Sequence, residues 1–73
     1  MTTLTDIDIL MKCAEAHAEN YNRRCRRLVA LLRYGCKVDA KTWDATDNLR
    51  ACMENSRRDL EDAILSQSMA ASV

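Results

Sequence analysis

Between Leu4 and Tyr34 the chain reads LTDIDILMKCAEAHAENYNRRCRRLVALLRY, and Leu4, Ile7, Met11, Ala14, Ala18, Tyr21, Cys25, Leu28 and Leu32 recur at alternating steps of three and four. That is the period of one side of an α-helix, apolar here along its whole length, as in the seam of a coiled coil. Such a helix would extend about 45 Å at a rise of about 1.5 Å per residue. A compact core of this size cannot enclose it, so its apolar side must lie against something equally long.

A second, more polar pattern follows, in which Thr46, Leu49, Met53, Ser56, Leu60, Ala63, Gln67 and Ala70 repeat at the same steps. The punctuation between the two predicts a hairpin. Thr3 or Thr5 can cap the first helix, with Asp6 and Asp8 in the first turn where the helix dipole favours negative charge. Arg23, Arg24, Arg26, Arg27 and Arg33 gather toward the other end, where the same dipole favours positive charge. Gly35 suits the left-handed residue that closes a helix. Asp39 can cap the second helix, with Val38 and Trp43 at the two positions of a hydrophobic staple. So short a connection implies antiparallel neighbours. The expected architecture is all-α: one helical-hairpin domain over residues 1–73, with helix 1 about 4–34, a loop at 35–39, helix 2 about 40–67, and frayed ends before Leu4 and beyond Ser66. Folded about Lys37, the hairpin sets Leu28 beside Thr46, Tyr21 beside Met53 and Met11 beside Ala63.

Composition supports this reading and adds a requirement. Seventy-three residues with no proline, no phenylalanine and one glycine give strands little to work with. A chain this short lies near the lower limit for burying enough apolar surface to fold unaided. Apolar groups left off the first seam, Leu10 with Ile64 near the termini and Leu31 with Trp43 near the loop, form two patches that a lone two-helix layer would leave wet. Dimerisation into a four-helix bundle, with Leu10, Leu31, Trp43 and Ile64 at the interface, would cover them.

Eleven basic residues balance eleven acidic ones, yet their distribution is polar along the chain. Residues 23 to 51 hold eight Lys or Arg against Asp39, Asp44 and Asp47, a formal +5. The rest holds Lys12, Arg57 and Arg58 against eight carboxylates, a formal −5. Two hairpins laid antiparallel would match opposite charge with opposite charge and one apolar patch with the other. In length and layout this resembles the small plasmid RNA-regulatory protein that is also a dimer of helical hairpins. None of that protein's residue pattern is present, so the likeness implies no site.

Candidate chemistry is sparse. Cys13, Cys25, Cys36 and Cys52 show no paired spacing, so reduced thiols are expected, although Cys25 and Cys52 would lie within about a turn across the hairpin. Cys13 and His17 stand four apart on one helix, but two ligands do not make a metal site, and His17 reads as a flanking residue able to hydrogen-bond across the bundle. No glycine-rich phosphate loop, nucleophile elbow or organised acid beside the lone histidine is present, which argues against an enzyme and against a cofactor. No apolar run suits a membrane span and the N-terminus lacks a signal peptide's regions, so a cytoplasmic location is expected.

What remains is a surface. Arg26, Arg27, Arg33, Tyr34, Lys37 and Trp43 cluster near the loop end and are types that commonly anchor interfaces. The expected function is therefore a non-enzymatic adaptor, inhibitor or regulator that binds a protein partner. Phage and mobile-element regulators are a common source of chains like this. The alternative is an RNA- or DNA-binding regulator that uses the basic face of helix 1. It is disfavoured by the zero net charge and by the spread of the arginines around the helix.

Overall fold

The computed structural model of the protein describes residues 3–71, with only the backbone described at Ala71. Two helices, α1 (Leu4–Arg33) and α2 (Ala40–Ala71), pack antiparallel against each other, and among the described residues there is no strand. The hairpin expected from the pattern is present, with two boundary changes. Arg33 is the last helical residue of α1 and Tyr34 its C-cap, while α2 continues past Ser66 to Ala71. Residues 67–71 contain no glycine or proline and include two alanines, the best helix former, so nothing in the local sequence stops the helix. Met1 and Thr2 lie outside the described residues.

Each end of the connection is held by its own backbone chemistry. At the start of α1 the Thr3 hydroxyl accepts from the Asp6 amide at 3.1 Å, and the Asp6 carboxylate accepts from the Thr3 amide at 3.1 Å, a reciprocal capping box. At its end the Cys36 amide donates to the Leu31 carbonyl at 3.0 Å and the Gly35 amide to the Leu32 carbonyl at 3.1 Å. Those two bonds are the six-to-one and five-to-two pair of a Schellman motif, with Gly35 at φ 74° in the left-handed region. Asp39 then opens α2: its carboxylate accepts from the Thr42 amide at 2.9 Å and from the Thr42 hydroxyl. At the staple positions, Val38 is half-buried, but Trp43 stays 45% exposed.

The core is a single narrow line. Ile7, Leu28, Thr46 and Ala63 are its buried residues, and none is wholly enclosed. Leu28 and Thr46, set side by side by the expected register, are both buried. The Thr46 hydroxyl donates to the Thr42 carbonyl at 2.8 Å, so this buried polar group is satisfied within its own helix. On α2 the covered stripe of Thr46, Leu49, Met53, Ser56, Leu60, Ala63 and Gln67 is the expected one; only Ala70 at its end is exposed.

On α1 the stripe differs from the expected seam. Ile7, Ala14, Ala18, Tyr21, Cys25 and Leu28 are covered as expected, while Leu4, Met11 and Leu32 are exposed, Leu4 at 69% and Leu32 at 53%. Their place toward α2 is taken by Leu10, His17, Arg24 and Leu31, all half-buried. The helix is rotated so that the Leu4, Met11 and Leu32 edge turns outward, while Ile7, Ala14, Tyr21 and Leu28 of the expected seam stay inward with the row containing His17 and Arg24 beside them. Long side chains can do this because the stem is covered while the polar head reaches water. His17 makes no hydrogen bond across the hairpin.

The molecule is a rod of 57 × 16 × 15 Å with a radius of gyration of 16.6 Å. A globular chain of this length has a radius of gyration of about 11 Å. Its accessible surface is 5940 Å², against roughly 4,600 Å² for a compact monomer of this mass.

Two predictions follow from the caps. A Cβ at Gly35 meets nothing within 4 Å, so Gly35→Ala is penalised only by its positive φ and should lower stability by about 1–2 kcal/mol in urea unfolding. Thr3 holds the Asp6 carboxyl, and the Thr42 hydroxyl and amide hold the Asp39 carboxyl, below the ordinary value of 3.8. A lowered carboxyl pKa stabilises the fold above the unfolded value and loses that contribution as pH falls through the folded one. Helical melting monitored by circular dichroism should therefore weaken as pH drops below 3.8, and Asp39→Asn, a cap that does not titrate, should flatten that fall.

Candidate functional site

The hairpin has two long flanks and a tip, and each carries different chemistry. On one flank α1 presents Leu4, Met11, Ala18, Cys25 and Leu32, with Val29 beside them, and α2 presents Trp43, Arg50, Arg57 and Ile64. A shallow groove runs along its middle between Met11, Ala14 and Ala18 of α1 and Met53, Arg57 and Leu60 of α2. Small alanines on α1 leave that dip open. The apolar groups of this flank are exposed or half-buried, so it is hydrophobic surface facing water.

On the opposite flank Asn20, Arg23, Arg24 and Arg27 line a depression with Leu49. Arg24 belongs to the inward stripe and is half-buried there. The outer surface of α1 carries Arg26 and Arg33 around Val29 and Ala30. Together these arginines occupy about half the circumference of α1, from Arg24 at the edge of the seam round to Arg26 and Arg33 on the outer side.

Their ion pairs are few. Arg23 reaches Glu19 at 3.3 Å, one turn back on the same helix. Asp47 on α2 pairs with Arg50 at 3.4 Å rather than crossing to the cluster. Arg57 pairs with Glu61 at 3.0 Å. All three pairs are exposed and within one helix, where such contacts contribute a few tenths of a kcal/mol. Among the described residues Arg24, Arg26, Arg27 and Arg33 have no carboxylate within ion-pair distance.

The six residues singled out in the sequence near the loop fall on three surfaces. Arg26 and Arg33 stand one above the other on the outer side of α1, toward the apolar flank, and Trp43 lies on that flank from α2. Arg27 faces the other flank. Tyr34, 86% exposed, and Lys37 sit at the tip. The hairpin brings all six to one end of the rod without making them one patch. Of the four residues expected at a dimer interface, Leu10 and Leu31 are half-buried on the seam, and Trp43 and Ile64 are exposed on the apolar flank.

Cys13, Cys36 and Cys52 are exposed, Cys25 is half-buried, and all four are free thiols. Cys25 lies on the apolar flank and Cys52 on the other, so the hairpin does not present them to each other as a pair. The Cys25 sulfur one turn away from Tyr21 holds the tyrosine proton and pushes its pKa above the ordinary 10.0. Among the described residues no group of three or more His, Cys, Asp or Glu converges on a point that could hold a metal ion, and no helix is long and apolar enough to cross a membrane. Compared with known protein families, curated proteins and solved structures, the chain matches none.

The half-buried position of Arg24 beside Leu49 gives it a packing role apart from its charge. Arg24→Met should keep thermal stability within about 0.5 kcal/mol, whereas Arg24→Asp should lose about 1 kcal/mol or more, because a short charged group cannot carry its head to water past Leu49. Chemical denaturation of the two variants checks this.

Proposed function

We propose that the protein is a non-enzymatic helical binding protein, an adaptor, inhibitor or regulator that engages a protein partner through its basic loop end while pairing with a second copy. The observation that carries this reading is the set of unpaired arginines beside an almost fully exposed tyrosine. Arg26, Arg27 and Arg33 have no carboxylate partner among the described residues, and Tyr34 stands 86% exposed at the tip of the same end of the rod. Arginine and tyrosine are the types most enriched where interfaces concentrate their energy, since each brings a large contact area and directional donors. An unpaired guanidinium also loses no existing bond when an acidic partner arrives, so a complementary carboxylate surface is the favoured chemistry.

The same arginine arc supports a second reading, binding of RNA or DNA through phosphates, with Tyr34 stacking on a base. The acidic terminal half of the rod opposes it, because a nucleic acid longer than one end would meet the carboxylates of Asp59, Glu61 and Asp62. A cytoplasmic location and an origin in a phage or mobile element fit a small regulator of this kind.

The test is affinity purification of the tagged full chain from its native host beside the triple variant Arg26→Glu, Arg27→Glu, Arg33→Glu, with circular dichroism to check that the variant keeps its helices. A protein partner captured in stoichiometric amount by the parent chain should be reduced at least tenfold with the variant, about 1.4 kcal/mol or more of binding energy. Equal capture by both would remove the site. Recovery of nucleic acid instead, with affinity falling steeply as salt rises, would establish the second reading.

A further inference from the structure

One edge of the apolar face of α1 is left uncovered by the hairpin. Leu4, Met11 and Leu32 face water on the same flank as Val29, Trp43 and Ile64, while the seam is built on Ile7, Ala14, Tyr21 and Leu28 with Leu10, His17, Arg24 and Leu31 alongside. We propose that this flank is reserved for a second copy of the chain, laid on it antiparallel about a two-fold axis near Ala18 and the central groove. The assignment refines the pairing invoked in the proposed function: the contact residues are Leu4, Met11, Val29, Leu32, Trp43 and Ile64, and Leu10 and Leu31 belong to each hairpin's own seam.

Three observations select a second copy as the occupant. The first is the edge charge of this flank. In the terminal half the apolar strip is bordered mainly by carboxylates, Asp8, Glu15 and Glu19 of α1 and Glu54 and Glu61 of α2 against Lys12 and Arg57; in the loop half it is bordered mainly by arginines, Arg26 and Arg33 of α1 and Arg50 of α2 against Asp47. A two-fold axis across the rod sets each half against the opposite one, so acidic borders meet basic borders, whereas a parallel arrangement sets like on like.

The second is the apolar pattern, which divides in the same way. Leu4, Met11 and Ile64 lie at the terminal end, Val29, Leu32 and Trp43 at the loop end, and the alanine-lined dip sits between. The same axis lays one cluster on the other.

The third is area. The rod has roughly 1,300 Å² more surface than a compact monomer of its mass. A stable interface hides about 800 Å² of each partner. A flank some 45 Å long at the helical rise and about as wide as the rod offers on the order of 700 Å², and 16 Å is that width. The contact is of the size a specific dimer needs.

Sedimentation at micromolar concentration should give twice the mass of the chain. Leu32→Asp, a change at a side chain 53% exposed in the single hairpin, should return the mass to one chain while circular dichroism still reports helix, and Asn20→Asp on the other flank should leave the mass doubled. In a background with the four cysteines replaced by serine, a chain carrying Leu4→Cys should form a disulfide with a chain carrying Leu32→Cys, and Leu32→Cys should not link to itself. A single-chain mass for the parent protein overturns the proposal. So does a doubled mass that survives Leu32→Asp, which puts the interface elsewhere, or self-linkage of Leu32→Cys, which makes the pair parallel. Partner capture through the arginines is read independently of mass, so a monomer that still captures its partner sinks this pairing alone.

Discussion

The structure depends on one line of contact. Two helices of 30 and 32 residues meet along a seam that, among the described residues, fully covers no side chain and buries only Ile7, Leu28, Thr46 and Ala63. Two cylinders can share only a strip, and each additional turn of helix adds exposed surface as fast as it adds contact. The conformational entropy of ordering such a chain grows in proportion to its length, at about 1 kcal/mol or more per residue. The apolar area a single seam removes from water does not grow fast enough to outrun it, which is why isolated two-element layers are marginal. Every unusual feature of the molecule, the length of the rod, the excess surface and the exposed leucines, descends from that limit.

The reversal of the chain is over-determined by comparison. Gly35 supplies a backbone conformation that other residues adopt only with strain, its own amide and that of Cys36 close the last carbonyls of α1, and the Asp39 carboxylate satisfies the free amide of Thr42 in the first turn of α2. Each device is local, so the turn forms its bonds without help from the seam. A strong turn joined to a weak seam has a mechanical consequence. The loop end is where the two helices are held most firmly, and it is also where Arg33, Tyr34 and Lys37 are displayed. A tip whose backbone is already ordered gives up less entropy when a partner closes on it.

These same local signals were the ones legible in the sequence. Thr3, Gly35 and Asp39 announce themselves through the chemistry of helix ends, and they placed both boundaries of the loop within a residue. The seam of α2 was equally legible because it is narrow: Thr46, Leu49, Met53, Ser56, Leu60 and Ala63 leave no rival stripe alongside. Helix α1 is different. It carries three adjacent stripes, those of Leu4, Met11 and Leu32, of Ile7, Ala14, Tyr21 and Leu28, and of Leu10 and Leu31, which together cover close to half the helix. Periodicity measures the width of such a face but not which part of it meets α2, and the polar interruptions at His17 and Arg24 drew the eye away from the stripe that turns inward. The far end of α2 went unread for the opposite reason. Residues 67 to 71 bury almost nothing, so the pattern that marks a helix by its buried side fades there, while intrinsic propensity continues it.

The choice of stripe links fold to function. Arg24 on the seam covers Leu49 with its stem and leaves its guanidinium among Asn20, Arg23 and Arg27, so the rotation that brings Leu10 and Leu31 inward also gathers the basic flank. Turning α1 the other way would bury Leu4, Met11 and Leu32, but it would swing Arg24 into open solvent and bring Arg26 and Arg33 nearer the seam. In the antiparallel pair proposed above the two basic tips point away from each other along the rod. A partner meeting one tip would find only the acidic end of the other hairpin beside it, so the two copies would act as separated sites rather than as one merged patch. Separation of that kind follows from the polar ordering of charge along the chain, with a formal +5 between residues 23 and 51 and −5 elsewhere. A sequence with the same composition and a scrambled charge order would keep the hairpin and lose both the direction of the pairing and the isolation of its tips.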